Sequence, residues 1–347
     1  MMRNCLLFST HLIFLKSPLL KLSSNNTFLI IFTLLLLMGC GSSTPPIDRI
    51  EVAVNGIHGG ALSGDGKHAI IGSVQHGGSL WRLSDGERLF NWNHGKDELS
   101  VLISADIEPS GNWAITAEAH TIVLWDMNTG SAARFWTAPG EVLDADLANG
   151  GRYALLGQAD HSAVIFNVID GGIVRSFSHE GRVRGVDLSK DGRLAITGSE
   201  DQTAVVWRVD SGEKLMTMQH QEDVQLVALS PDGRFAFTSA KYDRAEIWDI
   251  NSAKTLHSIP LSKERIKRGL EVTSARFSDD SKHLLLGYTN QKVELWEVEN
   301  SKLLKEWKLT KRNKWQPTGV SVIDLAFTSQ TNRYYAIGSS GFIYLLE

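Results

Sequence analysis

The sequence predicts an all-β chain built from one repeated antiparallel unit, and three observations carry that prediction. First, His179 to Leu215 reads as four short strands with a turn signal between each. Arg182–Leu188 alternates apolar and polar residues, and Lys190-Asp191-Gly192-Arg193 turns the chain. Leu194–Ser199 follows, Glu200-Asp201-Gln202 turns again, Thr203–Val209 carries Trp207, and Asp210-Ser211-Gly212 leads into Glu213–Gln219. Short strands separated by such turns form an antiparallel meander rather than helices. Second, an aromatic recurs in the third strand of each unit: Trp81, Trp125, Phe166, Trp207, Trp248, Trp296 and Tyr344, in steps of 44, 41, 41, 41, 48 and 48. Third, the turn between first and second strands recurs at Gly66-Lys67, Gly111-Asn112, Gly151-Arg152, Gly192-Arg193, Gly233-Arg234, Ser281-Lys282 and Asn332-Arg333. Both series count seven. Four strands repeating at roughly 40–45 residues predict a seven-bladed β-propeller of four-stranded antiparallel blades. A single such sheet cannot bury both of its faces, so the blades must stack around an axis.

The chain resembles the WD-repeat (WD40) family from about residue 49 to the end. The resemblance rests on Trp125-Asp126, Trp248-Asp249 and the run Leu194–Trp207. It implies that His179, Thr197, Asp201 and Trp207 form a buried hydrogen-bonded tetrad. The chemistry fits, since a buried indole N–H needs an acceptor, and a hydroxyl and an imidazole can relay to a carboxylate. His179 is therefore expected to be structural rather than catalytic. The other blades depart from the pattern: Phe166 replaces the tryptophan of the third, and Tyr242 and Asn290 take the aspartate position of the fifth and sixth.

Residues 1–39 read as a signal peptide, 40–48 as a linker and 49–347 as the propeller. Arg3, Lys16 and Lys21 are the only charged side chains before Cys40, and Phe28–Leu37 is an apolar run of ten. Ten residues suit a signal-peptide core and are too few to span a bilayer. Leu37-Met38-Gly39-Cys40 resembles the bacterial lipobox, which implies a lipid on Cys40 and anchoring to the membrane. Gly41, rather than aspartate, follows the cysteine; by resemblance to proteobacterial lipoproteins this implies an outer-membrane location facing the periplasm. The two cysteines, Cys5 and Cys40, both precede the repeats, so the propeller has no disulfide and no cysteine-ligated metal. Without residues 1–40 the formal charge is −7, which argues against nucleic-acid binding.

The spare strand Arg49–Val54 has no neighbour in sequence to pair with, and the last blade lacks a fourth strand. Pairing of Arg49–Val54 with Phe342–Leu346 would close the ring and leave no open edge at the join. Fourth strands are expected at Glu87–Asn93, Ala133–Ala138, Ile173–Ser178, Glu213–Gln219, Lys254–Ile259 and Lys302–Leu309.

Catalytic motifs are missing from the sequence. Gly66-Lys67 fails as a phosphate loop, with His68 in the hydroxyl position and Ala61 in place of the first glycine. No Gly-x-Ser-x-Gly or His-Glu-x-x-His is present. His76, His120 and His161 lie five residues before the anchor aromatic in blades one to three. Packed sheets stand about 10 Å apart, and zinc holds its nitrogen ligands at about 2.1 Å. Equivalent positions on successive blades do not converge on one ion, so no metal and no cofactor is expected. The expected function is a non-catalytic interaction scaffold. The alternative is a propeller, like the quinone-cofactor enzymes, that uses its central channel. A partner surface is expected on the loop face of blades five to seven. Lys263, Arg265, Lys267 and Arg268 enter blade six, Lys311, Arg312, Lys314 and Trp315 enter blade seven, and Lys241, Tyr242 and Arg244 lie in the turn of blade five. Such a basic and aromatic cluster suits an acidic protein surface or an anionic envelope component.

Overall fold

The computed structural model describes residues 43–347 except 97, 149, 262–269, 314 and 316–318. Seven four-stranded sheets form, every pair antiparallel, and the first strand of each contacts the first strand of the next around a closed ring. In chain order, blade one comprises Ile57–Leu62, His68–Ser73, Gly77–Arg82 and Glu87–Asn91. Blade two comprises Ser104–Ile107, Trp113–Ala117, Thr121–Asp126 and Ala132–Thr137, and blade three Val142–Leu147, Tyr153–Gln158, Ser162–Asn167 and Ile173–Ser178. Blade four holds Val183–Leu188, Leu194–Ser199, Thr203–Arg208 and Lys214–Gln219, and blade five Val224–Leu229, Phe235–Ala240, Arg244–Asp249 and Lys254–Pro260. Blade six holds Val272–Phe277, His283–Tyr288, Lys292–Glu297 and Lys302–Lys308. Blade seven holds Val322–Phe327, Tyr334–Gly338 and Phe342–Leu346, and its outer strand is Asp48–Glu51. No helix among the described residues is long and apolar enough to cross a membrane.

The ring is closed by the N-terminal strand, which starts one residue earlier and ends three residues earlier than the expected Arg49–Val54. Asp48 pairs Leu345, Arg49 pairs Tyr344, Ile50 pairs Ile343 and Glu51 pairs Phe342. Val52 and Ala53 do not extend the strand. Their N–H groups donate to the Gly341 carbonyl at 3.0 and 3.2 Å, which turns the chain toward blade one.

The apolar interior is a ring of seven clusters, one between each pair of neighbouring blades. The middle strands are therefore covered on both faces. Leu194–Ser199 and Thr203–Arg208 are buried almost throughout and read as continuous apolar runs, whereas the outer strands are largely exposed. Outside blade three, where the Gly150 N–H donates to Glu108 of blade two, the first-to-second-strand turns are held by their own side chains. In blade four Ser189 Oγ donates to Asp191 Oδ1 at 2.7 Å, the Arg193 N–H donates to the same oxygen at 3.1 Å, and Gly192 takes φ 68°. A side chain disfavours that conformation, which is why glycine recurs there.

One expected anchor moves. In blades one to five the anchor aromatic faces a second-strand alanine: Ala69–Trp81, Ala114–Trp125, Ala154–Phe166, Ala195–Trp207 and Ala236–Trp248. In blade seven the equivalent pair is Tyr334–Leu346, and Tyr344 lies two residues earlier, opposite Ala336. The large ring has crossed to the second strand and a smaller side chain has taken the anchor position. The pair keeps one bulky member, and this is why an aromatic series misplaces the seventh anchor.

Candidate interaction face and central channel

Each buried anchor indole requires an acceptor, and the blades supply it in three ways. In blade four the expected tetrad is formed. Trp207 Nε1–H donates to Thr197 Oγ1 at 2.8 Å, and Thr197 Oγ1 meets His179 Nε2 at 2.7 Å. His179 Nδ1 then meets Asp201 Oδ2 at 2.9 Å, and Thr203 Oγ1 donates to Asp201 Oδ1 at 2.6 Å. Burial lowers the His179 pKa, with the Asp201 bond only partly opposing it. The neutral imidazole thus donates from Nδ1 and accepts at Nε2.

Two further relays escaped the sequence reading. In blade two Trp125 donates to Thr116 at 2.8 Å, His94 Nε2 meets Thr116 at 2.8 Å, and His94 Nδ1 meets Thr121 at 2.7 Å. Thr121 passes the relay to Glu118 at 3.1 Å. In blade five Trp248 and His220 Nε2 both reach Thr238 at 2.9 Å. That relay stops there, because Tyr242 stands where the aspartate would be. His220 Nδ1 lies 3.9 Å from Glu246 and makes no hydrogen bond, and burial holds this imidazole down at about 4. Blades one and six use an acceptor two residues before the anchor. Trp81 donates to Ser79 and Trp296 to Glu294, both at 2.9 Å. Phe166 and Leu346 have no N–H to satisfy. The signal for His94 and His220 was a histidine just before a first strand with a threonine about 20 residues on. In blade two a longer loop hides it, since His94 stands ten residues ahead of Ser104.

His179→Ala is expected to destabilise the propeller by roughly 1–3 kcal/mol, because Thr197 and Asp201 lose buried partners. A denaturant melt checks it; an unchanged midpoint would mean that the relay adds nothing to the fold.

The first strands surround a central channel whose charge is markedly one-sided. Asp106, Asp144, Asp146, Asp187 and Asp324 line it with Arg276, around a cavity of about 310 Å³. Each carboxylate also accepts an N–H from the following blade. Asp106 takes Leu147 at 3.0 Å, Asp144 takes Val186 at 3.0 Å and Asp146 takes Leu188 at 2.9 Å. Asp187 takes Leu229 at 2.6 Å and Asp324 takes Leu62 at 2.7 Å. The channel acids thus tie neighbouring blades together. Enclosure by protein raises the pKa of Asp106, Asp144 and Asp146, and raises that of Asp187 to about 7. Asp324, 3.3 Å from Arg276, forms the one direct ion pair of the set. Burial works to lower the Arg276 pKa, yet Asp324, Asp106, Asp187 and Asp146 together raise it above the ordinary arginine value. Among the described residues no group of three or more His, Cys, Asp or Glu side chains is placed to hold a metal ion.

At one end of the channel lie the fourth-to-first-strand connections and the second-to-third-strand turns, which antiparallel order puts on one face. Its mouth is lined by His58, Ile103, Leu226, Thr273 and Ile323. Here Val54, Val74, Leu99, Val101 and Ile103 are exposed, and Trp315 is 92% exposed. Backbone contacts join these segments. The Val74 N–H donates to Gly56 O at 3.3 Å, and the Ile57 N–H donates to Ser339 O of blade seven at 3.2 Å. Arg312, in the loop that carries Trp315, donates to Ala53 O at 2.6 Å.

Lys311 is half-buried in the loop entering blade seven, and the other residues expected to bind a partner separate into three groups. Lys263, Arg265, Lys267, Arg268 and Lys314 lie outside the described residues, as does Cys40. Arg244 is held by Glu246 at 3.0 Å, and Arg312 by Glu51 at 2.7 Å with its guanidinium over Phe342, so both serve the fold. Lys241, with its ammonium 5.4 Å over the Tyr242 ring, lies with Tyr242 on the blade-five turn, and Trp315 projects from its loop.

The family model for the WD domain, G-beta repeat, matches residues 171–208. That span runs from the last turn of blade three through the third strand of blade four, and contains the tetrad, in a ring of seven matching blades. The chain is a seven-bladed β-propeller with a WD40 repeat at residues 171–208. WD40 propellers typically mediate protein interactions and are typically non-catalytic, and this arrangement is compatible with such a role. No curated protein matches the chain.

Proposed function

We propose that this WD40 propeller is a non-catalytic interaction platform, held at the bacterial cell envelope by a lipid on Cys40, and most directly at the outer membrane facing the periplasm. The observation that carries the platform reading is the apolar arc on the loop face. Trp315, Val54, Val74, Leu99 and Val101 are exposed on loops and turns that the strand order puts on this face, and exposed apolar side chains gathered on one face suit a docking surface. Tyr242 and Lys241 extend the face on the opposite side of the mouth. Trp and Tyr dominate interface hot spots because they bury large areas at small entropic cost. The partner read from this chemistry is a protein that presents an apolar patch, with acidic residues toward blade five. The anchor reading is supported by the lipobox-like sequence before Gly41 and by the short apolar run ahead of it.

Crosslinking in the native envelope tests the platform. Trp315→Ala combined with Leu99→Ser and Val101→Ser is expected to leave the melt unchanged and to reduce crosslinked partner at least tenfold. Crosslinks of undiminished yield would sink the proposal that this face docks the partner. Lipid labelling tests the anchor separately: label is expected on the wild type and absent from Cys40→Ser.

A further inference from the structure

We propose that the outer strand of blade six, Lys302–Lys308, is a membrane-facing surface that docks on anionic phospholipid headgroups. The orientation rests on the lipid-anchor reading above; the surface chemistry does not.

The chain joins the propeller on this strand. The Thr44 N–H donates to Glu306 O, and the Lys308 N–H donates to Thr44 O, both at 3.0 Å, in a parallel bridge at Trp307. Only Gly41, Ser42 and Ser43 separate Cys40 from Thr44, a reach of at most about 14 Å. A lipid on Cys40 therefore holds this edge of the ring, rather than its opposite side, against the bilayer.

The residues around Thr44 suit that position. Lys302, Leu303, Leu304 and Lys308 are exposed, Lys305 is partly so, and Ile47 next to the junction is 48% exposed. Among the described residues Lys302, Lys305 and Lys308 enter no ion pair. The acidic groups nearby are Glu297, opposite Lys302 in the pairing, Glu306 within the strand with Glu294 opposite it, and Glu347, whose carbonyl accepts from the Trp307 indole. The ammonium groups of Lys302 and Lys308, and that of Lys305 on leaving the Trp307 ring over which it lies at 5.5 Å, can reach phosphates while their stems and the two leucines meet the acyl boundary. Each Lys near an anionic surface contributes on the order of 1 kcal/mol. Lysines on an outer strand also discourage strand addition by another chain, but that role does not call for the neighbouring exposed Leu303, Leu304 and Ile47.

Residues 43–347 contain every described strand, every sheet pair and all seven core clusters, and so form the unit to test. This fragment lacks Cys40, which separates the surface from the anchor. It is expected to co-sediment with phosphatidylglycerol-containing vesicles and not with pure phosphatidylcholine, and to be released by 0.5 M salt (an ionic strength at which the screening length is below about 8 Å). Lys302→Gln, Lys305→Gln and Lys308→Gln together, and separately Leu303→Ser with Leu304→Ser, are expected to weaken vesicle binding at least tenfold. Both variants should keep the wild-type melting curve; single Lys308→Gln, expected to weaken binding about threefold, replaces any variant that does not. Absence of anionic-vesicle binding, binding unaffected by these changes, or a dimer that uses this strand in place of vesicle binding would each overturn the proposal. Loss of lipid labelling at Cys40 with vesicle binding retained would overturn only the anchor.

Discussion

Deletion of residues 43–51 is expected to lower the stability of the propeller by roughly 1.5–3 kcal/mol, the value of burying one aliphatic side chain such as Ile50, and to turn a monomer into an aggregating species. The strand Asp48–Glu51 supplies the outer strand of blade seven. Ile50 packs against the cluster shared by blades seven and one, with Val52, Leu83, Ile337 and Ile343. Arg49 covers the Phe342 ring at 4.4 Å, and Glu51 holds Arg312 at 2.7 Å. Deletion removes these contacts and leaves the N–H and C=O groups of Phe342–Leu346 facing solvent as an open edge, a template for pairing with other chains. Thermal melts and light scattering read the result. A monomeric deletion that melts cooperatively at the wild-type temperature would show that the seventh blade closes the ring without this strand.

The central channel is expected to make stability fall as pH rises from about 4 to about 7. Asp106, Asp144, Asp146 and Asp187 all have folded-state pKa values above that of a free aspartate, Asp187 at about 7. In this window the folded protein keeps protons that the unfolded chain releases, so the unfolded state binds fewer protons and unfolding grows easier with pH. Carboxylates with depressed pKa values, such as Asp201 and Asp191, work the other way, but mainly below pH 4. Asp187→Asn keeps an acceptor for the Leu229 N–H and removes a charge. It is expected to raise the melting temperature at pH 8 and to leave it nearly unchanged at pH 5. Arg276→Gln has the opposite sign. It removes the cation shared by Asp324, Asp106, Asp187 and Asp146. Breaking a fully buried pair costs about 3–5 kcal/mol, and channel water reduces that figure here. The loss should be large at pH 8 and small at pH 5, where protonated carboxyls no longer need the cation. A melting temperature of Arg276→Gln that tracks the wild type at every pH would mean that the channel charges do not interact.

The turns and the middle strands were legible because their determinants are local. Asp191-Gly192 sets a turn through its own carboxylate and a backbone that only glycine tolerates readily, and Leu194–Ser199 is buried almost throughout, on both faces, because blades cover both. A sevenfold repetition of these signals determined the number of blades. The spare strand at the start and the missing strand at the end determined the closure. The tetrad of blade four was legible because all four members stand at the family's spacing. The relays of His94 and His220 were not, because loop length and an aspartate replacement break the spacing while the geometry survives.

Only the tertiary structure decided the rest. Nothing in the sequence marks Asp106, Asp146 and Asp187 as neighbours. They lie about 40 residues apart and meet because the ring brings each first strand to the axis, where one position per blade shares a single channel. The same holds for Val54, Val74, Leu99, Val101 and Trp315, which are ordinary loop residues until the closed ring puts their loops on one face. Arg244 and Arg312 read as free basic residues, yet the fold spends both on buried or ring-closing carboxylates. The repeat pattern determined how each blade folds because hydrophobic periodicity acts within tens of residues. The charge of the channel, the apolar arc and the fate of each surface cation are sums over blades, and the closed ring alone fixes them.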